Sequence, residues 1–289
     1  MTVPKYLVEE EIRALVALIG RPRTVLDVGC GVGLNGACAR RLGAAVTGIE
    51  INAAAAAQAR QRLDEVLELD ITDDVDVRRQ LSGRRFDLIL FADVLEHLPD
   101  PGAVLARFAA LLTDGGRVIV SVPNVAAWPV RLGLLRGRFT YQRSGILDDS
   151  HLRFFTRESA IALCRDAGLQ VLQVEHNPML VRAAKGIIQS AMLGGAHDEE
   201  HDPLALSRSA PYKLYQGLVR PIEDRIANRA PGLLAFQHVV VARKPPERRS
   251  LSLTVGMLTM DEEQSVSRMI HEIRELVPDA QILLSLIHI

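Results

Sequence analysis

Apolar residues in this chain recur in short unbroken runs. The first run is Thr24 to Val28, and the others are Ala45 to Glu50, Val66 to Leu69, Phe86 to Phe91 and Arg117 to Val122. Continuous apolar runs of this length suit strands buried on both faces. Between them the spacing changes to threes and fours. Residues 5–19 carry Leu7, Val8, Ile12, Leu15, Val16 and Ile19 with charges between, which predicts a helix closed by Arg21-Pro22-Arg23. Further helices are predicted from the glycines after Val28 to about Leu42, from an Asn52 cap to about Leu63, over Asp74–Leu81, and from Pro101 to Leu112 with Asp114-Gly115-Gly116 as a stop. Strands alternating with helices predict an α/β fold, a Rossmann-like seven-stranded and mainly parallel sheet with helices on both faces.

The rhythm breaks at Pro123 to Ser150, a stretch with the chain's only tryptophan, Trp128, and with Arg131, Arg136, Arg138 and Arg143. It resumes with a helix capped by Thr156 and stopped by Gly168, a sixth strand over Leu169–Glu175 and a seventh over Leu233–Ala242. Amphipathic helices are expected near 180–192 and 212–228. Lys244-Pro245-Pro246-Glu247-Arg248-Arg249 has a linker's composition. Beyond it a strand (Leu251–Leu258), a helix (Glu262–Leu276) and a strand start (Ala280–Leu284) follow. The division expected is one domain over 1–243, with an insert (123–150) and an interval (178–231) that serve the acceptor or a lid, a linker over 244–250, and the truncated start of a second domain over 251–289.

Composition narrows the partners. A net charge of -1 with 24% charged residues predicts no bulk attraction to nucleic acid. Three scattered cysteines, Cys30, Cys38 and Cys164, suit a reducing cytoplasm and supply neither a disulfide framework nor a metal site, so no metal is expected. Glu9, Glu10 and Glu11 stand where a signal peptide needs an apolar core, and the best apolar run, Pro178 to Ala196, is interrupted by Arg182, Lys185 and Gln189. No transmembrane segment is therefore expected. Peripheral membrane contact through Lys213, Arg220 and Arg225 and a homodimer both stay open.

The chemistry gathers at the strand ends. Asp27-Val28-Gly29-Cys30-Gly31-Val32-Gly33 is a strand end, a tight turn and a helix start, where backbone N–H groups face a ligand closely. A dinucleotide fingerprint would want its third glycine at position 34, which is Leu34, and a P-loop would want a lysine. Glu50 ends the second strand, where a carboxylate can accept both hydroxyls of a ribose. Asp70 ends the third, where one can accept an adenine amino group, and Asp27 could hold an ammonium. Three acids at successive strand ends face the crevice where open α/β sheets bind ligands.

These motifs, with Gly48-Ile49-Glu50, Leu69-Asp70-Ile71, Phe86 to Ile89, Glu96-His97-Leu98 and Gly115-Gly116, resemble those of class I S-adenosylmethionine-dependent methyltransferases. The resemblance implies S-adenosylmethionine as cofactor, with Asp27, Gly29, Gly31 and Gly33 at its methionine part, Glu50 at the ribose, Asp70 and Ile71 at the adenine, Ala92 and Asp93 at the methyl-donor end, and Cys30 and Ile51 also among the cofactor-binding residues. His151 to Thr156, with Asp148-Asp149-Ser150, is similar to a segment of bacterial methyltransferases encoded among surface-polysaccharide functions. Leu253 to Ile273 looks like the opening of a family-two GT-A glycosyltransferase, without its later Asp-rich metal motif. The implied reaction is methyl transfer to a small-molecule hydroxyl, of a sugar or glycan precursor, with His97 and His151 as candidate bases. Two alternatives stand beside it: a quinone or lipid-precursor methyltransferase, and a non-catalytic cofactor-binding module that docks a glycosyltransferase.

Overall fold

In the computed structural model the chain divides into two units, Met1–Pro245 and Pro246–Ile289. The structure describes residues 12–178 and 229–245 of the first, and in the second only Arg268, His271, Glu272 and Glu275, all helical. The expected amphipathic helices near 180–192 and 212–228, and the two strands expected after the linker, lie outside the described residues.

Seven strands form one sheet: β1 (Thr24–Val28), β2 (Ala45–Ile49), β3 (Glu65–Leu67), β4 (Phe86–Ala92), β5 (Leu112–Pro123), β6 (Gln170–Pro178) and β7 (Ala235–Arg243), in the order β3-β2-β1-β4-β5-β7-β6. β1 pairs in parallel with β2 and β4, β2 with β3, and β4 with β5. β7 lies antiparallel between β5 and β6. The expected fold class therefore stands. The helices are α1 (Arg13–Leu18), α2 (Leu34–Arg41), α3 (Ala53–Ala59), α4 (Asp74–Gln80), α5 (Pro101–Ala109), α6 (Trp128–Leu135) and α7 (Arg157–Asp166), and a short helical turn, Pro231–Leu234, leads into β7.

Burial explains the unbroken apolar runs. Successive strand side chains point to opposite faces. On β4, Leu88 and Leu90 join one core with Leu15, Ile19, Ile119 and Val241, while Ile89 and Phe91 join the other with Leu105, Phe108, Val118 and Val120. Phe91 meets Phe108 edge to face, ring centroids 5.7 Å apart. With both faces covered, no position on the strand is free to be polar without a partner.

Local chemistry sets the element ends. Asn52 caps α3, its Oδ1 accepting the Ala54 and Ala55 N–H groups at 3.0 Å each. Asn52→Ala should cost about 1 kcal/mol, read as a shift in the urea midpoint. Thr156 and Ser159 form a reciprocal capping box on α7. Two expectations change. Helix α5 ends at Ala109, before the Asp-Gly-Gly stop, because Leu112 is buried and pairs with Phe86, drawing the chain into the sheet early. Gly115 and Gly116 then sit in an irregularity of β5, and a Cβ on Gly116 would stand 3.0 Å from the Phe86 carbonyl oxygen. The insert after β5, for which no element is expected, contains α6.

Candidate active site

Strand order reverses at β1, whose neighbours are β2 and β4, so the connections from these strands diverge and leave a crevice at their C-terminal ends. A cavity of about 310 Å³ lies there, lined by Gly29, Glu50, Ile51, Asp70, Ile71, Asp93 and His97 among others. That volume is within the usual range for small-molecule sites.

The glycine turn forms one wall. Gly29, Gly31 and Gly33 have φ of 64°, 54° and 84°, a region costly for any residue with a Cβ. At Gly29 a Cβ would also meet Val94 Cγ2 at 2.7 Å. Gly33 is the N-cap of α2, where no side chain caps the helix. Cys30 donates its N–H to the Ile49 carbonyl at 2.8 Å, and its buried sulfur lies where a Cβ on Gly48 would come within 2.7 Å. Its backbone thus ties the turn to β2.

The three acids take different positions. Glu50 follows β2 and spans the rim: Oε2 accepts the Gly31 N–H at 2.9 Å and Oε1 the Asn52 N–H at 2.8 Å. It is half-buried, and carboxylate oxygens with one bond each keep acceptor capacity for hydroxyls. Asp70 is exposed, its Oδ1 held by the Thr72 N–H and hydroxyl. Asp27 is placed otherwise. It is 1% exposed and lies under the turn, with Oδ2 accepting the Gly36 N–H at 2.9 Å and Oδ1 buried without a partner. Burial, with Glu50 adding negative charge and the Gly36 bond acting against both, pushes its pKa up to about 7.

Ile51 is 67% exposed at the rim and Ile71 is half-buried. Apolar side chains lining an open crevice suit the faces of a flat heterocycle. The pieces fit an adenosyl cofactor: an apolar slot, a carboxylate at ribose reach and a glycine turn without Cβ atoms.

The other wall follows β4. Asp93 has φ of 56°, the sole non-glycine residue of positive φ among those described, and such outliers gather at functional sites. Its N–H donates to Ser121 Oγ at 3.1 Å, its Oδ1 accepts from Ser121 Oγ at 3.0 Å, and Gln237 Nε2 donates to the same oxygen. Half-buried Ala92 precedes it.

A 3-10 turn, Leu95–His97, brings Glu96, His97 and His151 together, one ligand-type atom from each within 4.8 Å of the others. The histidine rings stand edge to face, centroids 4.9 Å apart. His97 Nδ1 lies 3.2 Å from the Ser150 carbonyl oxygen and His151 Nδ1 3.1 Å from that of Ile146. Ser150 Oγ also lies 3.2 Å from His97 Nδ1, and since a carbonyl only accepts, each Nδ1 directs a proton at the backbone. His151 Nε2 is 4.0 Å from Glu96 Oε1. The Glu96 backbone carbonyl accepts the Leu152 and Arg153 N–H groups, fastening the insert's end to the β4 loop. Its carboxylate is buried and neither oxygen has a hydrogen-bond partner. Burial, then the neighbouring charges of Asp93 and Asp148, hold Glu96 well above the usual carboxylate range.

The two candidate bases, His97 and His151, are far apart in the sequence and neighbours in the structure. Sequence reasoning passed over Glu96, Ser121 and Gln237. Glu96 lies in the Glu96-His97-Leu98 motif, and its adjacency to His97 is the signal that marks it. Gln237 carried none, being distant in the chain from everything it touches.

Comparison with known proteins adds the following. A family model described as "Methyltransferase domain" matches residues 4–174. The chain is 31% identical over 183 residues to a ubiquinone biosynthesis O-methyltransferase of Nitrosococcus oceani, covering 61% of this chain and 76% of that protein. It is 33% identical over 167 residues to the protein of the same name from Pseudomonas paraeruginosa, covering 54% and 70%. Among solved structures it resembles in fold a SAM-dependent methyltransferase of Archaeoglobus fulgidus, with a TM-score of 0.51, 16% identity, and 81% and 91% of the two chains covered.

Proposed function

We propose that this chain, which belongs to the methyltransferase-domain family and is an S-adenosylmethionine-dependent methyltransferase, methylates a hydroxyl of a phenolic quinone precursor. The observation that carries the acceptor is its similarity to the ubiquinone biosynthesis O-methyltransferases. That support falls on the quinone alternative rather than on the sugar hydroxyl expected first. The matches speak for neither the polysaccharide association nor a glycosyltransferase segment.

When bound, the cofactor supplies an activated methyl group on a sulfonium. Gly29, Gly31 and Gly33 would lie along its methionine part, Glu50 would accept the ribose hydroxyls, Ile51 and Ile71 would enclose the adenine and Asp70 would accept its amino group. Asp27 acts from beneath, holding the turn to α2 through Gly36. Asp93, fixed by Ser121 and Gln237, and Ala92 bound the end where the acceptor enters. The acceptor hydroxyl loses its proton toward His97, which lines the crevice, or His151 behind it. Nδ1–H bonds to carbonyls orient both rings for this.

The insert supports an apolar acceptor delivered at a lipid surface. Trp128, Leu132, Leu134, Leu135, Phe139 and Tyr141 are exposed there, interspersed with Arg131, Arg136, Arg138 and Arg143. Apolar side chains among basic ones are what an anionic bilayer surface binds.

The test is transfer of labelled methyl from S-adenosylmethionine to a panel of short-chain catechols, prenylated catechols and nucleotide sugars. Product with the catechols is expected. Methylation confined to the sugars overturns the acceptor, and cofactor binding with no product from any acceptor overturns catalysis. His97→Ala and His151→Ala should each lower turnover by at least about tenfold with cofactor affinity nearly unchanged. Near-normal turnover in both removes the histidines from the reaction.

A further inference from the structure

A second cavity, of about 400 Å³, opens at the end of the sheet opposite the crevice, lined by Arg21, Arg23, Asp87, Thr113, Asp114 and Arg117 among others. A bulge creates it. Between the pairs Phe86–Leu112 and Leu88–Arg117, the single residue Asp87 on β4 faces Thr113–Gly116 on β5, and the extra residues loop outward. The cavity holds three guanidiniums and two carboxylates. Asp87 forms the floor and is occupied by neutral donors: Oδ2 accepts the Arg23 and Thr24 N–H groups at 2.9 and 3.3 Å, and Oδ1 the Thr113 hydroxyl at 2.9 Å. Asp114 stands exposed on the rim. None of Arg21, Arg23 and Arg117 forms an ion pair among the described residues. Arg117 is nevertheless fixed. Its Nη2 donates to the Ile19 carbonyl at 2.6 Å, and Gly20 leaves the room, since a Cβ there would come within 2.7 Å of that nitrogen. The carbonyl takes one of five guanidinium N–H groups and leaves the charge unanswered. Directly across the ladder from Arg117 stands Arg243, whose Nε donates to the neutral Gln170 Oε1 at 3.2 Å. Like charges opposed on paired strands are destabilising, which calls for an anion beside them.

We propose that this cavity is a binding site for a phosphate group, as free phosphate or as a phosphate monoester, held by Arg21, Arg23 and Arg117. A guanidinium offers paired N–H donors matched to phosphate oxygens and keeps its charge at every working pH. A cavity of this volume admits a small phosphorylated metabolite. The site is separate from the methyl-donor crevice. β1 and β4 run from the cavity, at Arg23 and Asp87, to the crevice, at Gly29 and Asp93. The length of β1 alone is roughly 13 Å at about 3.3 Å per residue. Phosphate and cofactor therefore bind together, whichever acceptor the crevice takes.

The full chain, saturated with S-adenosylhomocysteine, is titrated in a calorimeter with inorganic phosphate and, separately, with glycerol 3-phosphate. Saturable uptake of about one equivalent is expected, with a dissociation constant of roughly 1 mM or tighter. Arg23→Ala and Arg117→Ala should each weaken it at least about tenfold, through loss of a charge-assisted bond. Arg165→Ala removes the same charge from an exposed position at the end of α7 and should change nothing. Circular dichroism shows which variants fold. Arg117 is half-buried and Arg23 exposed, so Arg23→Ala keeps the test valid if Arg117→Ala does not fold. Tighter uptake of the ester identifies a phosphorylated metabolite as the ligand, and equal or tighter uptake of inorganic phosphate identifies free phosphate. No saturable uptake of either probe overturns the site, as does unchanged uptake by Arg23→Ala or equal weakening by Arg165→Ala. Uptake seen only without S-adenosylhomocysteine puts the phosphate in the crevice and overturns it too.

Discussion

Glu50→Ala should weaken binding of S-adenosylhomocysteine, measured by calorimetry, by roughly 100-fold or more. Hydrogen bonds to a charged acceptor are worth about 1.5–3 kcal/mol each, and two ribose hydroxyls lose theirs at once. A total near 3 kcal/mol corresponds to about two powers of ten. The substitution also leaves the Gly31 and Asn52 N–H groups without the carboxylate that bridges them. Asn52 is exposed, where water can replace it, but Gly31 is buried, so its unpaired N–H should cost about 1–3 kcal/mol and lower the thermal midpoint. Glu50→Gln keeps one acceptor oxygen and should fall between. A dissociation constant within threefold of wild type for Glu50→Ala would remove Glu50 from the ribose site.

The second large effect is on stability. Asp27 has a pKa of about 7 in the folded chain against an ordinary 3.8, so the folded state holds this proton more tightly than the unfolded one. Its contribution is complete below about pH 4 and is lost as the pH rises through 7. The whole interval is worth roughly 4 kcal/mol at most. Asp27→Asn keeps an oxygen for the Gly36 N–H and carries no charge, so it should gain on the wild type as the pH is raised from 5 to 8. Glu96 is displaced in the same direction, so the wild-type slope belongs to both groups and the difference between the two proteins isolates Asp27. His238 acts oppositely. Burial and the adjacent His176 hold it down to about 3, so its contribution is lost as the pH falls below about 6.5. Urea unfolding at pH 5, 6, 7 and 8 measures the difference. Parallel curves for Asp27→Asn and wild type would show that the carboxyl is not held protonated by its surroundings.

These two acids also mark the limit of what could be read from the chain. Asp27 and Glu50 look alike in sequence, each ending an apolar run. Register separates them: Asp27 pairs with Gly48 and Leu90 inside the sheet, while Glu50 stands one residue past the end of β2. Glu50 lies two residues beyond Gly48, the register partner of Asp27, and that offset turns a buried strut into a rim ligand. Nothing in the alternation of apolar and polar positions carries that offset, because strands buried on both faces have no alternation to count.

The amino-acid sequence by itself determined the α/β class, the glycine turn, the capped helices and the strand-end acids Glu50 and Asp70 that line the crevice. These rest on local signals: positive-φ glycines, caps such as Asn52 and Thr156, and strand runs with acids at their ends. Tertiary structure alone decided the antiparallel placement of β7, which brings Gln237 to Asp93, and the early end of α5 where Leu112 enters the sheet. It alone also brought His151 from the end of the insert to Glu96 and His97. Each of these joins residues far apart in the chain, and the burial that joins them depends on surfaces that exist only once the sheet has formed.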